Sequence, residues 1–333
     1  MRTIPLRIAA ALIALLAIRV AAAQETKPTT ANSASAPTVK LGLLVTDKSN
    51  HSIDDLKKDE LQVLEDRVPQ TISSFAKDDR IINYALVVDN SGSFKDILTP
   101  AIEAAKLLVS KNGPADEVFI ERFINSNKIE TVQEFTSDQA TLNKALETLI
   151  IEGGQSAVVD AVYLAVAHTA EYQSSADRRR ALVIFTDGED RASYYSANDL
   201  FKLLRKNDVQ IFVIGVVTQL SKGGGIMRPS PRASAEELLN RMAKETGGRV
   251  FFPRDIEDLL RAATEIAHDL HTQYTIDYQP TNNSGKTGFR KVEIRIAETP
   301  GRDKLTAIAR PGYLVSPEKS KAKESEPKKT KPE

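Results

Sequence analysis

The 333-residue chain has no cysteine, which excludes a disulfide framework, a thiolate metal site and a lipid-modified cysteine behind a leader. Its fold must rest on burial alone. Histidine is nearly as scarce. His51, His168, His268 and His271 are the full set, and none stands in a metal-ligand or catalytic motif. His168 sits inside a helical pattern, while His268 and His271 are expected to face solvent or pack. A Gly-x-Ser-x-Gly elbow and a phosphate-binding P-loop are both missing. Net charge is absent too, with 45 basic residues against 45 acidic ones. That balance removes the electrostatic case for a nucleic-acid partner or an anionic membrane surface.

Only one apolar stretch has the form of a targeting segment. Arg2 and Arg7 precede the run from Ile8 to Ile18, and Ala21-Ala22-Ala23 offers a small-residue cleavage site before Gln24. Charge, a short apolar core and small residues in that order predict a secretory signal peptide over residues 1–23. The core is about half of what a spanning helix needs, and Arg19 stops it from growing longer. Export to the periplasm or the exterior, without an integral membrane anchor, is the expectation. Removing the leader takes three arginines and no acids, leaving 42 basic residues against 45 acidic.

Residues 24–38 are Pro-, Ser- and Thr-rich and read as a flexible linker, and residues 317–333, with six lysines, four glutamates and three prolines, read as a disordered tail. Between them lie three parts. Residues 39–80 show short strands at Val39–Val45, Leu61–Leu64 and Thr71–Phe75. Residues 81–271 alternate strand candidates (Ile81–Val88, Val118–Phe123, Arg180–Thr186, Gln210–Val217) with amphipathic helices at 97–108, 141–150, 158–170, 197–204, 235–245 and 256–270. Ile129–Phe135 follows too closely for a crossover and predicts an antiparallel edge hairpin. Ser234 with Glu237 reads as a capping box for the fifth helix, Gly247-Gly248 as its stop, and Asp255 as the cap of the sixth. Residues 272–316 return to strands at Gln273–Tyr278, Arg290–Ile296 and Lys304–Ala309. The expected fold is a doubly wound, mostly parallel α/β sheet of Rossmann-like form, inserted into a small β domain made by pairing of 39–80 with 272–316.

The chemistry gathers at strand ends. The run Tyr84–Val88 leads directly into Asp89-Asn90-Ser91-Gly92-Ser93, which delivers three oxygen-bearing side chains at alternate positions. One carboxylate and two hydroxyls suit a hard divalent cation; the same residues could also form a plain strand-to-helix turn with Ser93 as cap. A second strand, Ala181–Phe185, ends in Thr186-Asp187-Gly188-Glu189-Asp190. A glycine-flexible loop, Glu152-Gly153-Gly154-Gln155-Ser156, presents a third hydroxyl ahead of the helix holding Asp160. In open α/β sheets ligands bind at the carboxyl ends of the strands, so the three pieces converge on one ion site. The loop from Thr218 to Ala233, with Lys222, Ile226, Met227, Arg228 and Arg232, emerges on the same face, either as a partner-selecting rim or as a mobile connection.

These pieces, in this order and spacing, resemble the von Willebrand factor type A (VWA, integrin I-like) domain and its metal-ion-dependent adhesion site (MIDAS). The resemblance implies that Asp89, Ser91 and Ser93 form the Asp-x-Ser-x-Ser loop, that Ser156 stands where the family has threonine, and that Asp187 is the third contribution. It implies a Mg²⁺ site, with Mn²⁺ or Ca²⁺ as alternatives, contacted through hydroxyls and carboxylates. The flanking stretches Leu61–Phe75, Tyr274–Pro280 and Arg310-Pro-Gly-Tyr313 resemble the exported VWFA-related proteins common in Acidobacteria. A cation with few charged ligands stays electrophilic toward an added carboxylate. The implied function is therefore metal-dependent adhesion: a secreted module, not an enzyme, gripping an Asp or Glu of a partner protein. Two alternatives stay open. One is a metal-assisted hydrolase using Ser91 as nucleophile or Glu189 as base; the other is a scaffold whose metal site is degenerate at Ser156.

Overall fold

The computed structural model describes residues 38–172, 177–225, 229–281 and 287–315. The expected leader at 1–23, almost all of the expected linker, the expected tail at 317–333 and the loop residues Ile226, Met227 and Arg228 lie outside these segments.

Four strands come first: β1 (Val39–Thr46), β2 (Leu61–Glu65), β3 (Val68–Gln70) and β4 (Ile72–Lys77). The next run has no polar face to offer water, so it can only be a strand covered on both sides. That strand is β5 (Ile82–Asp89), buried at every residue. Around it the sheet runs β10-β9-β8-β5-β6-β7, with β6 (Glu117–Asn125), β7 (Lys128–Thr136), β8 (Arg179–Thr186), β9 (Gln210–Gly215) and β10 (Val250–Phe251). All neighbours are parallel except β6 and β7, which form the predicted antiparallel edge hairpin.

Six helices cover the sheet: α1 (Leu98–Val109), α2 (Gln139–Glu147), α3 (Val158–Glu171), α4 (Ala197–Lys206), α5 (Pro231–Thr246) and α6 (Ile256–His271). Alternate side chains of β5 and β8 divide the core. Leu86, Val88, Val183 and Phe185 pack with α1, α2 and α6, whereas Ala85, Val87, Leu182 and Ile184 pack with α3, α4 and α5. Asp255 caps α6 by accepting the Asp258 N–H at 2.8 Å, and Gly247 ends α5 in the left-handed region at φ 76°.

Two local expectations are corrected. The fifth helix does not start on a Ser234 capping box: it begins a turn earlier, where Ser230 accepts the Ala233 N–H at 3.1 Å and Pro231 takes the first helical position. Proline suits that place because its fixed φ is helical and the N–H it lacks would have had no partner. The expected loop through Ala233 therefore ends at Ser230, and Arg232 sits in the helix, paired with Glu236 at 2.8 Å. Ser93 caps no helix. It lies in a short 3-10 turn (Gly92–Phe94), and α1 begins only at Leu98 without a side-chain cap.

After α6 come β11 (Tyr274–Tyr278), β12 (Gly288–Ile296), β13 (Thr306–Ile308) and β14 (Gly312–Val315). They interleave with the first four strands as two antiparallel sheets, β13-β1-β11-β4 and β14-β12-β2-β3, so each sheet is built from both flanks. A single apolar cluster, with Leu41, Leu43, Val63, Ile276 and Val292, joins the two sheets. Beside it Glu65, fully buried on β2, accepts hydrogen bonds from the hydroxyls of Tyr278 and Tyr313 (2.8 Å each) and an ion pair from Arg290 (2.5 Å). One acid from the N-terminal flank thus holds three residues of the C-terminal flank.

Candidate metal centre

β5 lies between β8 and β6, where the winding of the sheet reverses and a crevice opens at the strands' carboxyl ends. Asp89 is the last residue of β5. The parallel register sets Val88 opposite Phe185, so Asp89 falls beside Thr186, the last residue of β8. Both follow the side-chain alternation toward the α3 side of the sheet. There the Thr186 hydroxyl donates to Asp89 Oδ2 at 2.8 Å, and the Ser156 hydroxyl donates to the same oxygen at 3.1 Å. The other oxygen, Oδ1, accepts the Ser91 N–H at 2.9 Å, and Ser91 Oγ lies 3.2 Å from Ser93 Oγ. Asp187 follows at once after β8 and accepts the Glu189 N–H through Oδ1 at 2.9 Å.

The five residues singled out in the sequence are thus brought to one crevice. Asp89, Ser91, Ser156 and Asp187 are buried, while Ser93 is exposed and opens the cluster to solvent. Two further side chains shape the site. Thr186, besides its bond to Asp89, accepts the Gly188 N–H at 3.0 Å and so forms the turn that carries Asp187. Asn90 donates its side-chain amide to Ile150 O at 2.7 Å and its backbone N–H to Phe123 O at 2.8 Å. That ties the Asp-x-Ser-x-Ser loop to the loop leading to Ser156. Thr186 could have been found from period-two alternation, since it continues the Leu182, Ile184 face; Asn90 carries no such signal.

The electrostatics are those of a site short of positive charge. Burial, and then the neighbouring Asp187 carboxylate, push Asp89 up to about 6. Burial raises Asp187 as well, opposed by the Ser93 hydroxyl and the Glu189 N–H. Asp187 Oδ2 is buried with no hydrogen-bond partner among the described residues. Arg191, a nearby cation, pairs with Glu189 instead. Two buried like charges and an orphaned carboxylate oxygen beside three hydroxyls fit a hard divalent cation: it would neutralise both acids and satisfy the orphan. Among the described residues no three His, Cys, Asp or Glu side chains come together as a metal group. The donor set here is correspondingly two carboxylates with hydroxyls.

The family model described as von Willebrand factor type A domain matches residues 83–265, which takes in every residue of the crevice. Among solved structures, an aerotolerance-related membrane protein from Bacteroides fragilis is 20% identical, over 56% of this chain and 98% of its own, with a TM-score of 0.43. A von Willebrand factor type A protein from Catenulispora acidiphila is 13% identical over 84% of this chain and 74% of its own, TM-score 0.47. Proximal thread matrix protein 1 from the mussel byssus, with a zinc-occupied MIDAS motif, is 19% identical over 61% of this chain and 48% of its own, TM-score 0.45. No curated protein matches.

Proposed function

Because this chain belongs to the von Willebrand factor type A domain family, we propose that it is an exported, Mg²⁺-dependent binding module that captures an Asp or Glu side chain of a partner protein. The observation that carries the reading is the pair of buried acids, Asp89 and Asp187, grouped with hydroxyls and with no ion pair to either acid among the described residues. Asp89, Ser91, Ser93, Ser156 and Asp187 would hold the ion; Mn²⁺ or Ca²⁺ are chemically possible alternatives to Mg²⁺. Such an ion, when bound, supplies a Lewis-acidic position that a carboxylate from outside can fill. The chain's own part is to orient the donors: Thr186 and the Ser91 N–H hold the Asp89 carboxylate, and exposed Ser93 leaves one side of the cluster open. Ser156 replaces the family's threonine without losing its hydroxyl, and that hydroxyl is engaged with Asp89, which favours a working site over a degenerate scaffold. Glu189, the one acid placed for a hydrolytic base, is engaged by Arg191, which favours binding over catalysis.

Export rests on the signal-peptide pattern of residues 1–23. No helix among the described residues is long and apolar enough to cross a membrane. Calorimetric titration of the mature chain with Mg²⁺ and Mn²⁺, wild type beside Asp89→Ala, tests the ion: heat of binding is expected only for wild type, and its absence there refutes the reading. Panning a displayed random peptide library on the loaded chain, with elution by EDTA, tests the ligand. Asp and Glu should be enriched, and a selected set without acids would overturn carboxylate capture.

A further inference from the structure

Ser156 and Asp187 come from different loops, yet a metal centre needs them held together. Six hydrogen bonds bind the segment after Asp187 to Ser156 and the N-terminal turn of α3 directly behind it, and a seventh braces the segment internally. The N–H groups of Arg191 and Ala192 both donate to Ser156 O, at 2.9 and 3.1 Å. Two residues on, the N–H groups of Tyr194 and Tyr195 donate to the two oxygens of Asp160, at 2.7 and 2.8 Å. Ser193 completes the strap. Its hydroxyl donates to Asp190 Oδ1 at 2.5 Å and accepts the Asp160 N–H at 3.1 Å, while Asp190 Oδ1 accepts the Val159 N–H at 3.2 Å. Tyr195 then stacks on Tyr163 of α3, ring centroids 3.9 Å apart.

Asp160 is the centre of this arrangement. It is 2% exposed, on the first turn of α3, and no Lys, Arg or His forms an ion pair with it among the described residues. A buried carboxylate without a counter-ion is costly unless hydrogen bonds replace the lost water; here the loop's own N–H groups and the helix N-terminus supply them. The loop is thereby held by a buried carboxyl group, and its release would leave both of that group's oxygens without these donors. The two ends of one short strap are fixed, one to Asp160 and one to Ser156 O, so the Asp187 loop and the Ser156 loop are tied together.

We propose that Asp160 is a positioning residue of the metal centre: through residues 191–195 it fixes Ser156 and Asp187 relative to one another without touching the ion. The proposal rests on the function inferred above but can fail independently of it. Asp160→Ala should weaken Mn²⁺ binding by about tenfold or more, the range seen when supporting groups behind metal ligands are removed. Asp160→Asn keeps one acceptor and should fall between the two. Ser193→Ala, at a half-buried position, removes the strap's second tie without opening the core, and should weaken binding by more than about twofold, up to about fivefold. Hydrogen exchange on the ion-free chain supplies a readout independent of metal: Asp160→Ala should lose protection not only at Tyr194 and Tyr195 but also at Arg191 and Ala192, the amides on Ser156 O. If Asp160→Ala unfolds, the Asn and Ser193 variants carry the same two measurements. Retained Mn²⁺ affinity, within about twofold of wild type, or unchanged protection at Arg191 and Ala192, would overturn the proposal. A wild type that binds no ion would sink the metal function, and the exchange experiment would still decide the brace.

Discussion

Glu121 offers a clean test of how this core treats a charge. It lies in the middle of β6, opposite Val87 of β5 and Thr131 of β7, on the strand face it shares with buried Phe119 and Phe123. Only 4% of it is exposed, and its Oε1 has no hydrogen-bond partner among the described residues. Burial pushes its carboxyl from 4.5 up to about 8, so the folded chain keeps the proton long after the unfolded chain has released it. Below pH 4.5 both states hold the proton and Glu121 is neutral in its effect. Between pH 4.5 and 8 the unfolded state binds fewer protons, so stability falls as pH rises; above 8 the loss levels off. At about 1.4 kcal/mol per pH unit the whole displacement amounts to at most about 5 kcal/mol. Glu121→Gln keeps the shape and cannot ionise. Urea unfolding of both proteins between pH 5 and 9 should show the variant gaining on wild type up to about pH 8, then a constant difference. A difference that stays flat within about 0.5 kcal/mol over that range would refute the assignment of Glu121 as a buried neutral acid.

Adding Mg²⁺ or Mn²⁺ to the mature chain should raise its melting temperature, by the equivalent of about 2.7 kcal/mol at a hundredfold excess over Kd. Asp89→Asn should abolish that response while leaving the ion-free chain at least as stable, because one of two buried like charges is gone; a thermal shift in the variant equal to that of wild type would contradict this. His271 bonds Asp116 at 2.9 Å, and that carboxylate raises the imidazole above 6.5. The resulting stabilisation is complete below pH 6.5 and fades as pH climbs through the raised value, so His271→Gln should cost about 1 kcal/mol at pH 6, after allowance for its partial exposure, and less at pH 9. Gly154→Ala, at φ 94° and with its new Cβ 2.7 Å from Ile124 Cγ2, should displace the loop before Ser156 and cut ion affinity about tenfold. Gly153→Ala, at φ 83° in open space, should show backbone strain alone, about 1 kcal/mol in denaturant midpoints and little change in ion binding.

The parts of this molecule that were legible in its sequence are those where one residue type carries one physical demand. The run Tyr84–Val88 can only be a covered strand, and Asp89, Ser91 and Ser93 can only cluster once Gly92 turns the chain. The alternation of such runs with amphipathic stretches predicted the order of helices and the mostly parallel sheet. The convergence of Asp89, Ser91, Ser93, Ser156 and Asp187 on one crevice was legible because strand ends in an open α/β sheet meet at one edge. What escaped notice was contributed by geometry between segments. Thr186 shows only the period-two alternation of its strand, which gives its face; that it bonds Asp89 depends on the register between β5 and β8. The two- to four-residue strands β3, β10 and β14 are too short to display a period; only the pairing with longer neighbours makes them strands.

The start of α5 and the role of Asp160 show the same limit from opposite sides. At α5 two local signals competed, Ser234 with Glu237 against Ser230 with Pro231, and a capping box by itself does not outweigh a proline whose backbone is already helical. At Asp160 there was no competing local signal at all. An acid in the first turn of a helix is ordinary and reads as a favourable dipole contact; that it also grips a loop more than thirty residues away depends on where the chain returns. The same holds for Glu65, which on sequence is a surface acid ending a short strand and in the fold is a buried acceptor for two tyrosines and an arginine. In each case an unremarkable carboxylate gains its place in the fold because the backbone or side chains it bonds arrive from elsewhere. Burial of acids is thus how this cysteine-free chain joins distant segments: Glu65 between its flanks, Asp160 between the loops that carry Ser156 and Asp187, and Asp89 between the ends of β5 and β8.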